Sequence, residues 1–86
     1  MEIVFDQIAL KDIQIWKKSG NVTVQKRIGK LLLSIKQTPF TGIGKPEALK
    51  YELSGKWSRR ITDEDSIIYS VTKNAIQIHS LKGHYL

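Results

Sequence analysis

The sequence predicts an α+β domain of order βααβββ: two N-terminal helices packed on one face of a small antiparallel β-sheet. Three observations predict it. A short apolar run, "EIVF", opens the chain ahead of a polar residue. Two stretches of apolar residues at helical spacing then follow, separated only by "KKSGN". Three alternating runs, "KWSRRIT", "SIIYSVT" and "AIQIHSL", close the chain, joined by connections short enough for hairpins. At 86 residues the chain is sized for a single domain spanning 1–86, with one modest core.

Each element has a local cause. "EIVF" (Glu2 to Phe5) reads as a strand, and Asp6 can N-cap the first helix by accepting backbone N–H bonds. Ala9, Ile13 and Trp16 recur at helical spacing, with Leu10 beside them. Lys17 and Lys18 suit the negative end of that helix, and Gly20 suits its left-handed stop. Asn21 can cap the second helix. There Val24, Ile28, Leu31, Leu32 and Ile35 form one apolar stripe, with Lys26, Arg27, Lys30 and Lys36 on the other face. Pro39 ends it. "PFTGIGKPEALKYELSG" then carries four Gly or Pro breaks before Glu47, and reads as a structured loop. A charged, Gly-rich loop in so small a domain invites a functional reading.

Side chains alternate across a sheet. Pairing Thr62 with Ser66 puts Ser58, Arg60, Thr62, Ser66, Ile68 and Ser70 on one face. Trp57, Ile61, Ile67, Tyr69 and Val71 share the other, which packs on the helices. Pairing Thr72 with Ala75 adds Ile76 and Ile78 to the core face, and Gln77 and His79 to the polar face. The polar face is a candidate binding surface, since an antiparallel sheet can leave one face wet.

Composition narrows the function classes. Cysteine is absent, which excludes a disulfide framework and a thiolate metal site. "MEIVFDQIALKD" carries early charges and no long apolar run, so neither a signal peptide nor a spanning helix is expected, and no membrane partner. A soluble, cytoplasmic protein is the expectation. Fourteen Lys and Arg against eight Asp and Glu give a formal charge of +6, a field that attracts polyanions. A basic surface with no polyanion partner is the plainer alternative.

Three constellations can carry chemistry. Lys45, Glu47 and Lys50 crowd the loop; a carboxylate there can take a proton from a hydroxyl, and the ammonium groups can contact phosphate. On this stretch alone, solvated surface charge is the simpler reading. In "WSRRI" the two arginines diverge. Arg60 looks onto the polar face, where a planar fork suits phosphate. Arg59 is expected to be structural, bridging loop carboxylates at the rim of the core. The closing "LKGHYL" brings His84 and Tyr85. An imidazole, with an ordinary pKa of about 6.5, gives and takes protons near neutrality, and a tyrosine can stack on a base. A terminal histidine is also commonly idle, and His79, mid-strand, reads as structural. Two histidines without convergent carboxylates argue against a metal, and no nucleotide loop or nucleophile elbow is present. No cofactor is expected. A Glu, a His and cations are sufficient for RNA cleavage through the 2′-hydroxyl, without a metal.

"TPFTGIGKPEALKYELSGKWSRRITDEDSIIYSVT", with the closing "HY", resembles the YoeB toxins of the RelE/ParE superfamily. The similarity runs from the opening strand to Tyr85, and so long an ordered signature is far more specific than any short motif. It implies a small microbial-ribonuclease-like fold. It also implies a cytoplasmic bacterial toxin that cuts mRNA in the ribosomal A site, tends to dimerise, and is neutralised by a YefM-like antitoxin. Operator DNA is implied as a partner only for the toxin–antitoxin complex. By the same resemblance Glu47 matches the general base and His84 the general acid. Lys50 and Arg60 match residues that hold the scissile phosphate, and Tyr85 matches the aromatic beside the histidine. Lys45 and Lys82 are further basic candidates for RNA contact. The family's catalytic arginine at the start of the strand before "YSVT" is replaced here by Ser66. A hydroxyl donates one hydrogen bond and no charge, so three outcomes stand open: compensation by Arg60, Lys50 or Lys82, a slowed nuclease, or a toxin-fold module that binds antitoxin, ribosome or operator DNA without cutting. The superfamily also includes gyrase-directed toxins, but those generally lack the Glu and terminal His–Tyr pattern.

Overall fold

The computed structural model describes residues 1–83. Its elements are β1 (Glu2–Phe5), α1 (Gln7–Ser19), α2 (Val22–Gln37), β2 (Glu47–Ala48), β3 (Lys56–Arg60), β4 (Ser66–Val71) and β5 (Ala75–Ser80), with a 3-10 turn at Tyr51–Leu53. The strands form one sheet in the order β1-β5-β4-β3-β2. Both helices cover one face, as the apolar stripes require. Ala9 and Trp16 of α1 and Val24, Ile28, Leu31 and Ile35 of α2 share a core with Ile67, Tyr69, Ile76 and Ile78.

Two features depart from a purely antiparallel three-plus-one sheet. β1 pairs parallel to β5, Ile3 opposite Ile76 and Phe5 opposite Ile78, so the sheet is mixed. The two helices carry the chain away from β1, and only the last strand returns beside it. β2, just two residues long, adds a further strand inside the loop, with Glu47 opposite Ser58.

The caps follow the sequence closely. Gly20 ends α1 at φ 73, and the Asn21 carboxamide accepts from the Val24 N–H at 3.1 Å. Asp6 is the exception. It stands at the N-cap of α1 without capping, its carboxylate turned instead to His79 at 2.9 Å.

The β4–β5 register is the one read from Thr72 and Ala75: Val71 opposite Ile76 and Tyr69 opposite Ile78. The ladder then shifts at Ile68, which faces Ser80, so His79 bulges out. The β3–β4 pairing differs from expectation by two residues, with Arg60 rather than Thr62 opposite Ser66. Asp65 causes this. Its carbonyl accepts from the N–H groups of Ile61 and Thr62, and its carboxylate accepts from the Thr62 hydroxyl at 2.9 Å. These contacts close the loop before a longer ladder can form. A shift of two leaves every side chain on its expected face.

Arg59 is fully buried. It bridges carbonyls rather than the expected carboxylates. Its guanidinium donates to the Tyr69 hydroxyl (3.1 Å), the Ser34 hydroxyl (2.8 Å) and the carbonyls of Ile43 (2.9 Å), Thr38 (2.7 Å) and Thr41 (2.8 Å). All the donors of the group are thereby engaged. Tyr69 in turn donates to the Pro39 carbonyl at 2.6 Å. The loop needs Gly42 to come this close. At φ 120, a Cβ there would meet the Ser34 hydroxyl at 2.5 Å.

Candidate active site on the helix-free face

The site is built on the sheet face opposite the helices. Partners across a ladder share a face, so Glu47, Ser58, Ile68 and Ser80 form one row across four strands. Arg60 and Ser66 form the next row. Glu47 and Arg60 are therefore diagonal neighbours on one face, with side chains rooted roughly 7–8 Å apart. β2 makes this possible: its two residues of pairing set Glu47 in register with Ser58.

The loop itself is fastened at both ends. Before Glu47, the Gly44 carbonyl accepts from the Arg60 N–H at 2.7 Å. After it, the Leu49 N–H donates to the Lys56 carbonyl at 2.9 Å. Glu47, Lys45, Lys50 and Arg60 are exposed. Residues Glu47 to Leu53 curl around an open groove of about 540 Å³. Lys45 and Tyr51 hold positive φ angles of 52 and 57, a region L-residues avoid.

The face is less open than its polar pattern predicts. Ser58, Ser66 and Ile68 are buried in its middle. Beside Ser66 the chain itself returns, and its Gly83 carbonyl accepts from the Ser66 N–H at 3.0 Å. The Gly83 N–H donates to the Asp65 carboxylate at 2.8 Å. Two residues earlier, the Leu81 N–H donates to Asp12 (2.8 Å) and the Leu81 carbonyl accepts from the Trp16 indole (2.8 Å). The segment leading to "HYL" is thus tied to α1 and then to the start of β4. His84 and Tyr85 lie outside the described residues.

Glu47, Arg60 and Ser66 are brought to this face, Lys50 lines the groove beside Glu47, and Lys45 stands at the head of the loop. Lys82 goes elsewhere: its ammonium stacks over the Trp16 ring, 5.2 Å from the centroid. His79 has both ring nitrogens engaged, one with Asp6 at 2.9 Å and one with the Ser70 hydroxyl at 2.8 Å, in keeping with a structural part. Two contributors escaped the sequence reading. Arg27, read as part of a basic helix face, donates to the carbonyls of Ile61 (3.0 Å) and Arg60 (3.2 Å), and steadies the end of β3. Asp12, a polar residue on the buried side of α1, anchors Leu81. Its position on the stripe of Ala9 and Trp16 was the available signal.

Burial raises the Tyr69 phenol above its ordinary 10.0, while the hydrogen bond and charge of Arg59 work the other way. Among the described residues, no three His, Asp or Glu side chains are gathered as a metal site. No helix there is long and apolar enough to cross a membrane.

Known proteins share this fold. The family model described as YoeB-like toxin of bacterial type II toxin–antitoxin system matches residues 5–85. The toxin YoeB of Escherichia coli K12 is 39% identical over 85 residues, covering 99% of this chain and all of that protein. A YoeB/ParE toxin from Agrobacterium tumefaciens superposes with a TM-score of 0.93 at 33% identity, over 99% of this chain and 100% of the other. Staphylococcus aureus YoeB, solved as a dimer and in complex with YefM, gives TM-scores of 0.89 and 0.87 at 40% and 41% identity, covering 99% of this chain and 98% of each.

Proposed function

This chain belongs to the YoeB-like toxin family of bacterial type II toxin–antitoxin systems, and on that footing we propose that it is an endoribonuclease that cuts mRNA on the ribosome. The observation that carries the proposal is the diagonal placement of Glu47 and Arg60 on one exposed face. In the proposed reaction Glu47 removes the proton of a 2′-hydroxyl. The freed oxygen attacks the adjacent phosphorus, and Arg60 and Lys50 stabilise the charge that builds on the phosphoryl oxygens. His84 protonates the departing 5′-oxygen. The products are a 2′,3′-cyclic phosphate and a 5′-hydroxyl. Each proton has a side chain to carry it, so the scheme requires no metal. The anchoring of Gly83 at Ser66 supports the part given to His84, the next residue in the chain. Tyr85 is assigned to contact beside it, and Lys45 to the RNA backbone. Lys82 is reserved for a longer-range contribution, its ammonium being held on Trp16.

Ser66 stands directly opposite Arg60 on the ladder. Two arginines so paired would repel each other. With serine there, Arg60 has the row to itself and can lean over it, as the main cation of the phosphate cradle. Loss of one preorganised charged donor commonly costs on the order of a hundredfold in rate. The same residue favours a second reading, a module that binds its partners without cutting.

The proposed setting is the bacterial cytoplasm, with a YefM-like antitoxin laid on the basic surface, a homodimer as the free form, and operator DNA contacted by the toxin–antitoxin complex. Purified protein incubated with programmed ribosomes, followed by mapping of fragment ends, tests the activity. Cyclic or 3′-phosphate ends that disappear in Glu47→Gln support it. Cleavage unchanged in Glu47→Gln and His84→Ala refutes the assigned roles. A large gain in Ser66→Arg would show that the parent site is short of a cation. Parental cleavage that is robust, and not raised by that change, would show that Arg60 suffices.

A further inference from the structure

Tyr51 is 90% exposed, the most open of the large hydrophobic side chains among the described residues. It also holds a φ of +57, where a Cβ crowds the backbone. The left-handed backbone works against folding stability, and the core makes no use of the ring. Strained residues that persist in this way collect at functional sites. The 3-10 turn fixes the conformation: the Leu53 N–H donates to the Lys50 carbonyl and the Ser54 N–H to the Tyr51 carbonyl, each at 3.1 Å.

The turn places the ring on the groove that also carries Glu47 and Lys50. Its volume of about 540 Å³ falls within the roughly 300–1,000 Å³ of ligand sites. A phenol ring presented to solvent beside an ammonium group suits an unpaired nucleobase, whose face stacks on the ring while its phosphate meets the cation. An acidic peptide suits the groove less well, because Glu47 and Glu52 both line it.

We propose that Tyr51 is a base-stacking residue that holds an unpaired nucleobase next to the phosphate addressed by Glu47, Lys50 and Arg60. The proposal deepens the endoribonuclease reading and rests on it. The ring acts by binding, and takes no proton.

The test uses single-stranded 2′-O-methyl RNA, which cannot be cut through the blocked hydroxyl, and the same backbone without bases. Binding of each is followed by fluorescence anisotropy. Tyr51→Ala and Tyr51→Gly should weaken binding of the base-bearing strand by roughly 5- to 150-fold, the range that one stacked base supplies. Tyr51→Phe should stay near the parent, and all variants should bind the abasic backbone alike. Glycine accepts the positive φ, so its variant separates loss of the ring from backbone strain. Equal binding of the base-bearing strand by parent and Tyr51→Gly overturns the proposal. So does an equal loss on both strands, or a parent that binds neither. Weaker antitoxin affinity with unchanged RNA affinity would assign the ring to a protein interface, and also overturns it. Cleavage that ignores Tyr51 removes the stacking and leaves the nuclease; base-dependent binding through Tyr51 without cleavage does the reverse.

Discussion

Arg59 points into the helices and Arg60 away from them, although one peptide bond separates the two. Arg59 is fully buried with every donor engaged by neutral oxygens of the loop, of α2 and of Tyr69. Arg60 is exposed, and its guanidinium has no hydrogen-bond partner among the described residues. The contrast shows how one side-chain chemistry serves two ends. A guanidinium whose bonds are spent on carbonyls is a clamp, and one left open is available to a phosphate. Alternation along β3 assigns the parts.

The largest expected effect breaks the clamp. Arg59→Ala empties a fully buried site and withdraws five hydrogen bonds from the Tyr69 and Ser34 hydroxyls and the carbonyls of Ile43, Thr38 and Thr41, at about 1–3 kcal/mol for each group left unsatisfied before relaxation. A small domain has only about 5–15 kcal/mol in total. Urea unfolding should show most of the stability gone, and a variant with an unchanged midpoint would contradict the clamp. Tyr69→Phe removes the bonds to Arg59 and the Pro39 carbonyl, and should cost about 1–3 kcal/mol by the same measurement.

Asp12→Ala should cost about 1–2 kcal/mol, because the buried Leu81 N–H loses its acceptor. It should also lower cleavage, since Leu81 steadies the approach to His84. Cleavage measured under conditions where the variant is fully folded checks this. Alkaline pH probes the clamp more gently. The raised Tyr69 pKa means the unfolded chain loses its phenol proton first as pH rises. That contribution is therefore whole below pH 10.0 and fades above it, and Tyr69→Phe should flatten this part of the stability–pH curve. The smallest effect on stability belongs to the other arginine: Arg60→Ala should stay within about 0.5 kcal/mol of the parent.

The same contrast explains what could be read in advance. The stripe from Val24 to Ile35 and the turn at Thr72 to Ala75 are local patterns, and α2 and the β4–β5 register follow them. Both faces of β3 were legible for a similar reason: the side-chain period of two survives a register error of two residues. Contacts between distant segments were not. Nothing near Glu2 announces β5 as its parallel partner. Two residues of β2 are too short to carry a pattern, yet they hold Glu47 in the candidate site. Asp6 looked like a cap because its partner His79 comes from the far end of the chain. The seat of the Lys82 ammonium over Trp16 likewise joins segments far apart in the chain. Residue identity located Glu47 and Arg60, whereas their common face depended on pairing across the sheet.

The central claim is that the helix-free face around Glu47 and Arg60 is where RNA is cut. The most direct measurement compares parent and Arg60→Ala on programmed ribosomes, at matched folded fractions, scoring 2′,3′-cyclic phosphate ends. A loss on the order of a hundredfold, with the unfolding midpoint unchanged, is the predicted result. Equal cleavage by the two proteins would contradict the account.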